Sequence, residues 1–229
     1  SMERRPDGRL WGRGSRTRPW RCKSLWNSAR RSVDPQRFES LEGSGDERLK
    51  TMRFTVYGRT DVGRKRTHNE DAFAIYEGDS LFVLADGMGG HASGEVASAL
   101  AVESLGAFFR ETAEDQEKTW PFKGSKKLNY EAGRLEVAVK LANQCIFETA
   151  KAKKGCENMG TTLVATYMDP HGSYIAHVGD SRVYRLRDGS LEQLTRDHSL
   201  LNDYLKTNRL TPEEIEAFPH KNVIVRALG

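Results

Sequence analysis

Two long amphipathic segments, each too long to be a strand, lie between two groups of short alternating runs, and that order constrains the fold most. Residues 93–114 put Ala97, Ala101, Leu105 and Phe108 on one stripe at helical spacing, with Ser93-Gly94-Glu95 as a cap signal. Residues 131–153 do the same with Leu135, Ala138, Val139, Ala142 and Ile146. Before them, 53–58, 71–77 and 81–85 read as strands bounded by turn residues. After them come strand-like runs at 161–168, 173–178 and 182–187, the last running into Asp188-Gly189, a hairpin signal. Short helices are expected at 199–206 and 212–217, with a last strand at 223–226. Strands, then two helices, then strands again point to an α+β fold and away from alternating βαβ units.

The chain divides by charge. Residues 1–51 hold 13 Lys and Arg against 7 Asp and Glu, so the leader is basic although the whole chain carries only +4. Trp11, Trp20 and Trp26 stand among its arginines, and it shows neither a helical nor a strand period. Aromatic residues among arginines can bind nucleic acid, but the plainer reading is a disordered, dispensable extension or upstream sequence, because Met52 directly precedes the first strand-like run. Residues 52–229 then form the folded domain. No run of about 18 apolar residues exists to span a membrane. The three cysteines (Cys22, Cys145, Cys156) are odd in number and match no metal-ligand spacing. A reduced, cytoplasmic chain is the plain reading.

Three acidic clusters sit where strands begin or end: Asn69-Glu70-Asp71, Asp86-Gly87-Met88-Gly89-Gly90-His91 and Gly179-Asp180-Ser181-Arg182. Carboxylates at strand ends can share a pocket only if a cation offsets their repulsion. Hard oxygen donors suit Mg²⁺ or Mn²⁺ and not zinc. Taken singly, each cluster could equally be a hairpin turn, a solvated loop or a surface ion pair.

Their order is more specific. The runs Gly63-Arg64-Lys65-Arg66-Thr67-His68-Asn69-Glu70-Asp71, Leu84-Ala85-Asp86-Gly87-Met88-Gly89-Gly90-His91, Gly160-Thr161-Thr162, His177-Val178-Gly179-Asp180-Ser181-Arg182 and Leu194-Thr195-Arg196-Asp197-His198-Ser199 together resemble the metal-dependent protein phosphatases (the PPM, or type 2C, class) in their bacterial form. The resemblance begins near residue 53 and runs to residue 229. It implies an antiparallel β-sandwich flanked by α-helices, with two metal ions at one end of the sheets and a third possible. It further implies that Asp86 bridges the metals, that the Gly87 carbonyl is a ligand, and that Glu70 and Asp71 hold a metal directly or through water. Asp180 would serve the third ion, Arg66 would bind phosphate and His91 would act as general acid. His177, on an apolar strand, reads as structural.

The implied activity is hydrolysis of phosphoserine and phosphothreonine by a water activated by Mn²⁺ or Mg²⁺, on proteins phosphorylated by a serine/threonine kinase, by a monomer. Residues 199–220 would be the flap. The family pattern continues, past a segment like 225–229, into Ser-Asp-Gly and Asp-Asn motifs that have no equivalent in this chain. The domain is therefore expected to be C-terminally incomplete and weak or inactive by itself. The alternative is a catalytically impaired module that binds phosphoproteins or a partner kinase.

Overall fold

The structure is a computed structural model that describes residues 41–42, 54–89, 93–114, 119–221 and 223–229. Its centre is one antiparallel sheet. Strands β3 (Asp71–Tyr76), β4 (Leu81–Met88), β6 (Leu163–Asp169) and β7 (Gly172–Val178) follow one another across it, and the two-residue β5 (Gly160–Thr161) pairs with the far end of β4. Two further pairs stand apart: β1 (Leu41–Glu42) with β2 (Thr55–Val56), and β8 (Tyr184–Arg187) with β9 (Ser190–Gln193). Asp188 and Gly189 both have positive φ, 50° and 75°, as the two-residue turn joining β8 to β9 requires.

Helices α1 (Ser93–Glu114) and α2 (Tyr130–Ala152) pack together on one face of the sheet. Their stripes bury Ala97, Leu100, Ala101, Leu105 and Phe108 on α1, and Leu135, Ala138, Leu141, Ala142 and Ile146 on α2. They meet Ala72, Leu81, Val83, Ala85, Leu163 and Ala165, the inward set of an alternating sheet. Asn129 caps α2 by accepting the Ala132 N–H at 2.9 Å. Buried Arg134 is satisfied within the core: it donates to the Thr112 hydroxyl and the Phe109 carbonyl and lies 4.2 Å over the Phe109 ring. Two short helices, α3 (Leu200–Tyr204) and α4 (Pro212–Glu216), occupy the expected flap. No helix among the described residues is long and apolar enough to cross a membrane.

Three details depart from the sequence reading. A sandwich would put the strand runs before and after the two helices in facing sheets, but 71–88 and 163–178 join in one, with β2 and β8 outside it, because β4 offers one edge to β3 and the other to β6, as in Val83↔Ala165. β4 continues through Asp86, Gly87 and Met88, held by β5 (Gly87↔Thr161), so Asp86 lies inside a strand. Residues 223–226 form no strand, only an isolated bridge from Ile224 to Ser199. Cys156 is a buried thiol, and Cys145 is buried on α2. Of the leader, only Leu41 and Glu42 are described, paired with β2; the remainder of 1–51, where disorder was expected, lies outside the described residues.

Candidate metal centre

The site begins with a register. β3 and β4 pair so that Asp71 stands opposite Asp86, while the next pair, Ala72 and Ala85, is buried toward the helices. Alternation therefore sends both carboxylates to the same, outer face, where like charges directly opposite repel. Partial desolvation, then the Asp71 carboxylate, then that of Asp180, raise the Asp86 carboxyl above its ordinary value, and Arg66 opposes them. Asp71 is held in place: Thr60 donates its hydroxyl to the Asp71 carboxylate at 3.3 Å, and the Asp71 N–H donates to the Asn69 side-chain oxygen at 3.1 Å.

One residue earlier, the Glu70 carbonyl accepts the Gly87 N–H at 3.0 Å and the Ser98 hydroxyl at 2.6 Å, tying β3 to β4 and to α1. The contact is close enough to require glycine. A Cβ on Gly87 would lie 2.1 Å from the Gly94 carbonyl oxygen, and one on Gly94 would lie 2.7 Å from Glu70 Oε1. Arg66 Nη1 sits 3.7 Å from Glu70 Oε2, with its side chain 67% exposed, so the guanidinium is available to a ligand. Arg66, Glu70, Asp86, Gly87, Thr162 and Ile224 line a cavity of about 240 Å³.

Asp180 approaches from the end of β7. Gly179 before it has φ of 101° and presses on Thr162, where a Cβ would come within 2.7 Å. The Gly179 N–H donates to His198 Nδ1 at 3.2 Å, and His198 stacks on His177 with ring centroids 4.6 Å apart. Burial first, and then His177, push the His198 ring below the ordinary histidine value. An Nδ1 that accepts a backbone N–H belongs to a neutral ring. His177 in turn bonds the Arg196 carbonyl at 2.8 Å. Arg182 forks onto Asp197 at 2.8 and 2.5 Å, so it fixes the loop and does not face the cavity.

Of the residues singled out in the sequence, Arg66, Glu70, Asp86 and Gly87 meet at the cavity, and Asp71 stands beside it on the paired strand. Asp180 acts on Asp86 through its charge but does not line the cavity. His91 lies outside the described residues. Among the described residues no three His, Cys, Asp or Glu side chains already converge as a ligand group. The donor chemistry still fits one class of ion. Mg²⁺ and similar hard cations keep several waters and attach through one or two carboxylates, which the facing Asp71 and Asp86 provide. Ser98, Thr162 and Ser181 support these residues and had no assigned role in the sequence reading, although Gly160-Thr161-Thr162 was conspicuous as a motif; Gly94, read there only as part of a helix cap signal, packs against Gly87.

The protein phosphatase 2C family model matches residues 60–226. The serine/threonine phosphatase stp of Listeria welshimeri is 38% identical over 178 residues, covering 75% of this chain and 65% of that protein. Protein phosphatase PhpP of Streptococcus pneumoniae is 39% identical over 173 residues, covering 74% and 65%. The chain thus spans about 65% of the length of these curated relatives. The crystal structure of the Mycobacterium tuberculosis serine/threonine phosphatase PstP/Ppp superposes with a TM-score of 0.61 at 36% identity, over 74% of this chain and 66% of that one. A structure of the PstP catalytic domain with two manganese ions gives 0.55 at 31% identity, over 84% and 66%. The antiparallel α+β architecture, the five motifs and these matches agree: the chain belongs to the protein phosphatase 2C family.

Proposed function

We propose that this chain is a metal-dependent protein serine/threonine phosphatase that uses Mn²⁺ or Mg²⁺, acting as a cytoplasmic monomer on proteins phosphorylated by a serine/threonine kinase. The observation that carries the reading is the Asp71–Asp86 register pair, with Arg66 over the same cavity. Asp71 and Asp86, with Glu70 and the Gly87 carbonyl, would hold the ions, and Asp180 would hold a further one. Divalent ions bound there supply a water reactive enough to attack phosphorus at neutral pH. The exposed Arg66 fork would grip two phosphate oxygens and draw off negative charge as it develops. His91 would protonate the departing serine or threonine oxygen.

Release of phosphate from a phosphothreonine peptide, with and without Mn²⁺, tests the proposal. Hydrolysis that requires the cation supports it, and cation-independent hydrolysis overturns it. Arg66→Ala is expected to raise KM about tenfold with little change in kcat, because a hydrogen bond to a charged group contributes about 1.5 kcal/mol or more and Arg66 holds phosphate without activating water. Steady-state kinetics at saturating Mn²⁺ separate the two parameters. A second reading, a phosphoprotein-binding module, draws support from the lack of a preformed three-ligand group among the described residues. Phosphopeptide binding that depends on Arg66 without any hydrolysis would select it.

A further inference from the structure

The ladder of β4 changes character where it passes the acidic pair. β4 meets β5 and β6 in one continuous register, Gly87↔Thr161 on one side and Leu84↔Val164 on the other. Between those pairs the Asp86 N–H does not go to a carbonyl. It donates to the Thr162 hydroxyl at 3.1 Å. The Thr162 N–H donates to the Asp86 carbonyl at 2.9 Å, and the Thr161 hydroxyl, 2.9 Å from both, is shared between the Asp86 and Thr162 carbonyls. Both main-chain polar groups of Asp86 are thus held by two buried threonines.

The same Thr162 hydroxyl lies 2.7 Å from that of Ser181, the residue after Asp180. Its methyl group faces Gly179, the residue before Asp180. A hydroxyl has one proton to give and lone pairs to accept with, so it can take the Asp86 N–H and bond Ser181 together. One side chain, 1% exposed, therefore grips the backbone of one acidic residue and brackets the other.

We propose that Thr162 is a positioning residue of the metal centre, fixing Asp86 and the Asp180 turn at one spacing through a hydroxyl that replaces a ladder carbonyl. The proposal rests on the phosphatase reading and names what sets the spacing of its carboxylates. Residues that orient ligands without touching the ion commonly change metal affinity about 10–100-fold when removed. Thr162→Val keeps the shape and the β-branch but leaves the Asp86 N–H without its acceptor. Thr162→Ser keeps the hydroxyl. Ser181→Ala cuts only the link to the Asp180 turn.

The test is calorimetric titration of Mn²⁺ into the full 229-residue chain and the three variants, well below their melting temperatures, which are measured alongside. Thr162→Val is expected to bind Mn²⁺ at least about tenfold more weakly, Thr162→Ser to recover most of that loss, and Ser181→Ala to fall between them. A folded Thr162→Val with a lower melting temperature and wild-type affinity would make Thr162 a purely structural residue and overturn the proposal. If Thr162→Val does not fold, Ser181→Ala decides: weaker binding supports the link and unchanged binding refutes it. Wild-type protein that binds no Mn²⁺ overturns the metal-centre reading itself and this proposal with it, a result seen before any variant is compared.

Discussion

In a complete chain, Asp86→Asn is expected to lower Mn²⁺-dependent hydrolysis of a phosphothreonine peptide at least about a hundredfold, because metal stabilisation of transition-state charge is worth several kcal/mol. The amide keeps the size of the side chain and removes the charge that a cation needs. The same substitution is expected to act in the opposite direction on the metal-free fold. Desolvation, Asp71 and Asp180 raise the folded-state value of the Asp86 carboxyl above that of an unfolded chain. A group raised on folding contributes stability that is present at acid pH and is lost as pH climbs through its folded value. At neutral pH, then, metal-free Asp86→Asn should melt at a higher temperature than wild type. The gap should close on acidification through the carboxylate range. Added Mn²⁺ should reverse the order by stabilising wild type alone. Thermal melts across pH, with Mn²⁺ and with chelator, read all three effects. A variant less stable than wild type without metal would mean that the two aspartates do not repel.

Gly87→Ala is expected to be the most disruptive single-methyl change in the site. The added Cβ would stand 2.1 Å from the Gly94 carbonyl oxygen and 2.5 Å from that of Glu70, and both are backbone atoms with no rotamer to change. Relief requires α1 to shift from β4, or the Gly87 N–H to release Glu70. Overpacking of this kind costs about 3 kcal/mol. Either movement displaces Glu70 relative to Asp86, so Mn²⁺ affinity is expected to fall together with stability. Chemical denaturation and Mn²⁺ titration of one preparation measure both, and an alanine variant with wild-type values would show that α1 is free to move.

What the sequence made legible was local. The α1 stripe from Ala97 to Phe108 is buried as its helical spacing required, and Asp188-Gly189 turns β8 into β9. Asp86-Gly87 looked like the end of a strand because Asp-Gly is a turn signal, yet β5, remote in sequence, holds β4 straight through it. The same nonlocal pairing merged two expected sheets into one, since nothing in an alternating run says which strand will take its edge. Within the site, Glu70, Asp71 and Asp86 stood out as acidic residues at or beside strand ends. Thr162 did not, because its role depends on a hydroxyl taking the place of a carbonyl in a hydrogen-bond ladder.

The central claim is that facing carboxylates on β3 and β4 make a hard-cation site, and calorimetric titration of Mn²⁺ at two pH values tests it most directly. Saturable binding is predicted for wild type, with proton release that grows toward acid pH as the raised Asp86 carboxyl must ionise to bind. Binding should be lost in Asp86→Asn. Equal affinity in the two proteins, or no saturable binding in wild type, would contradict the account.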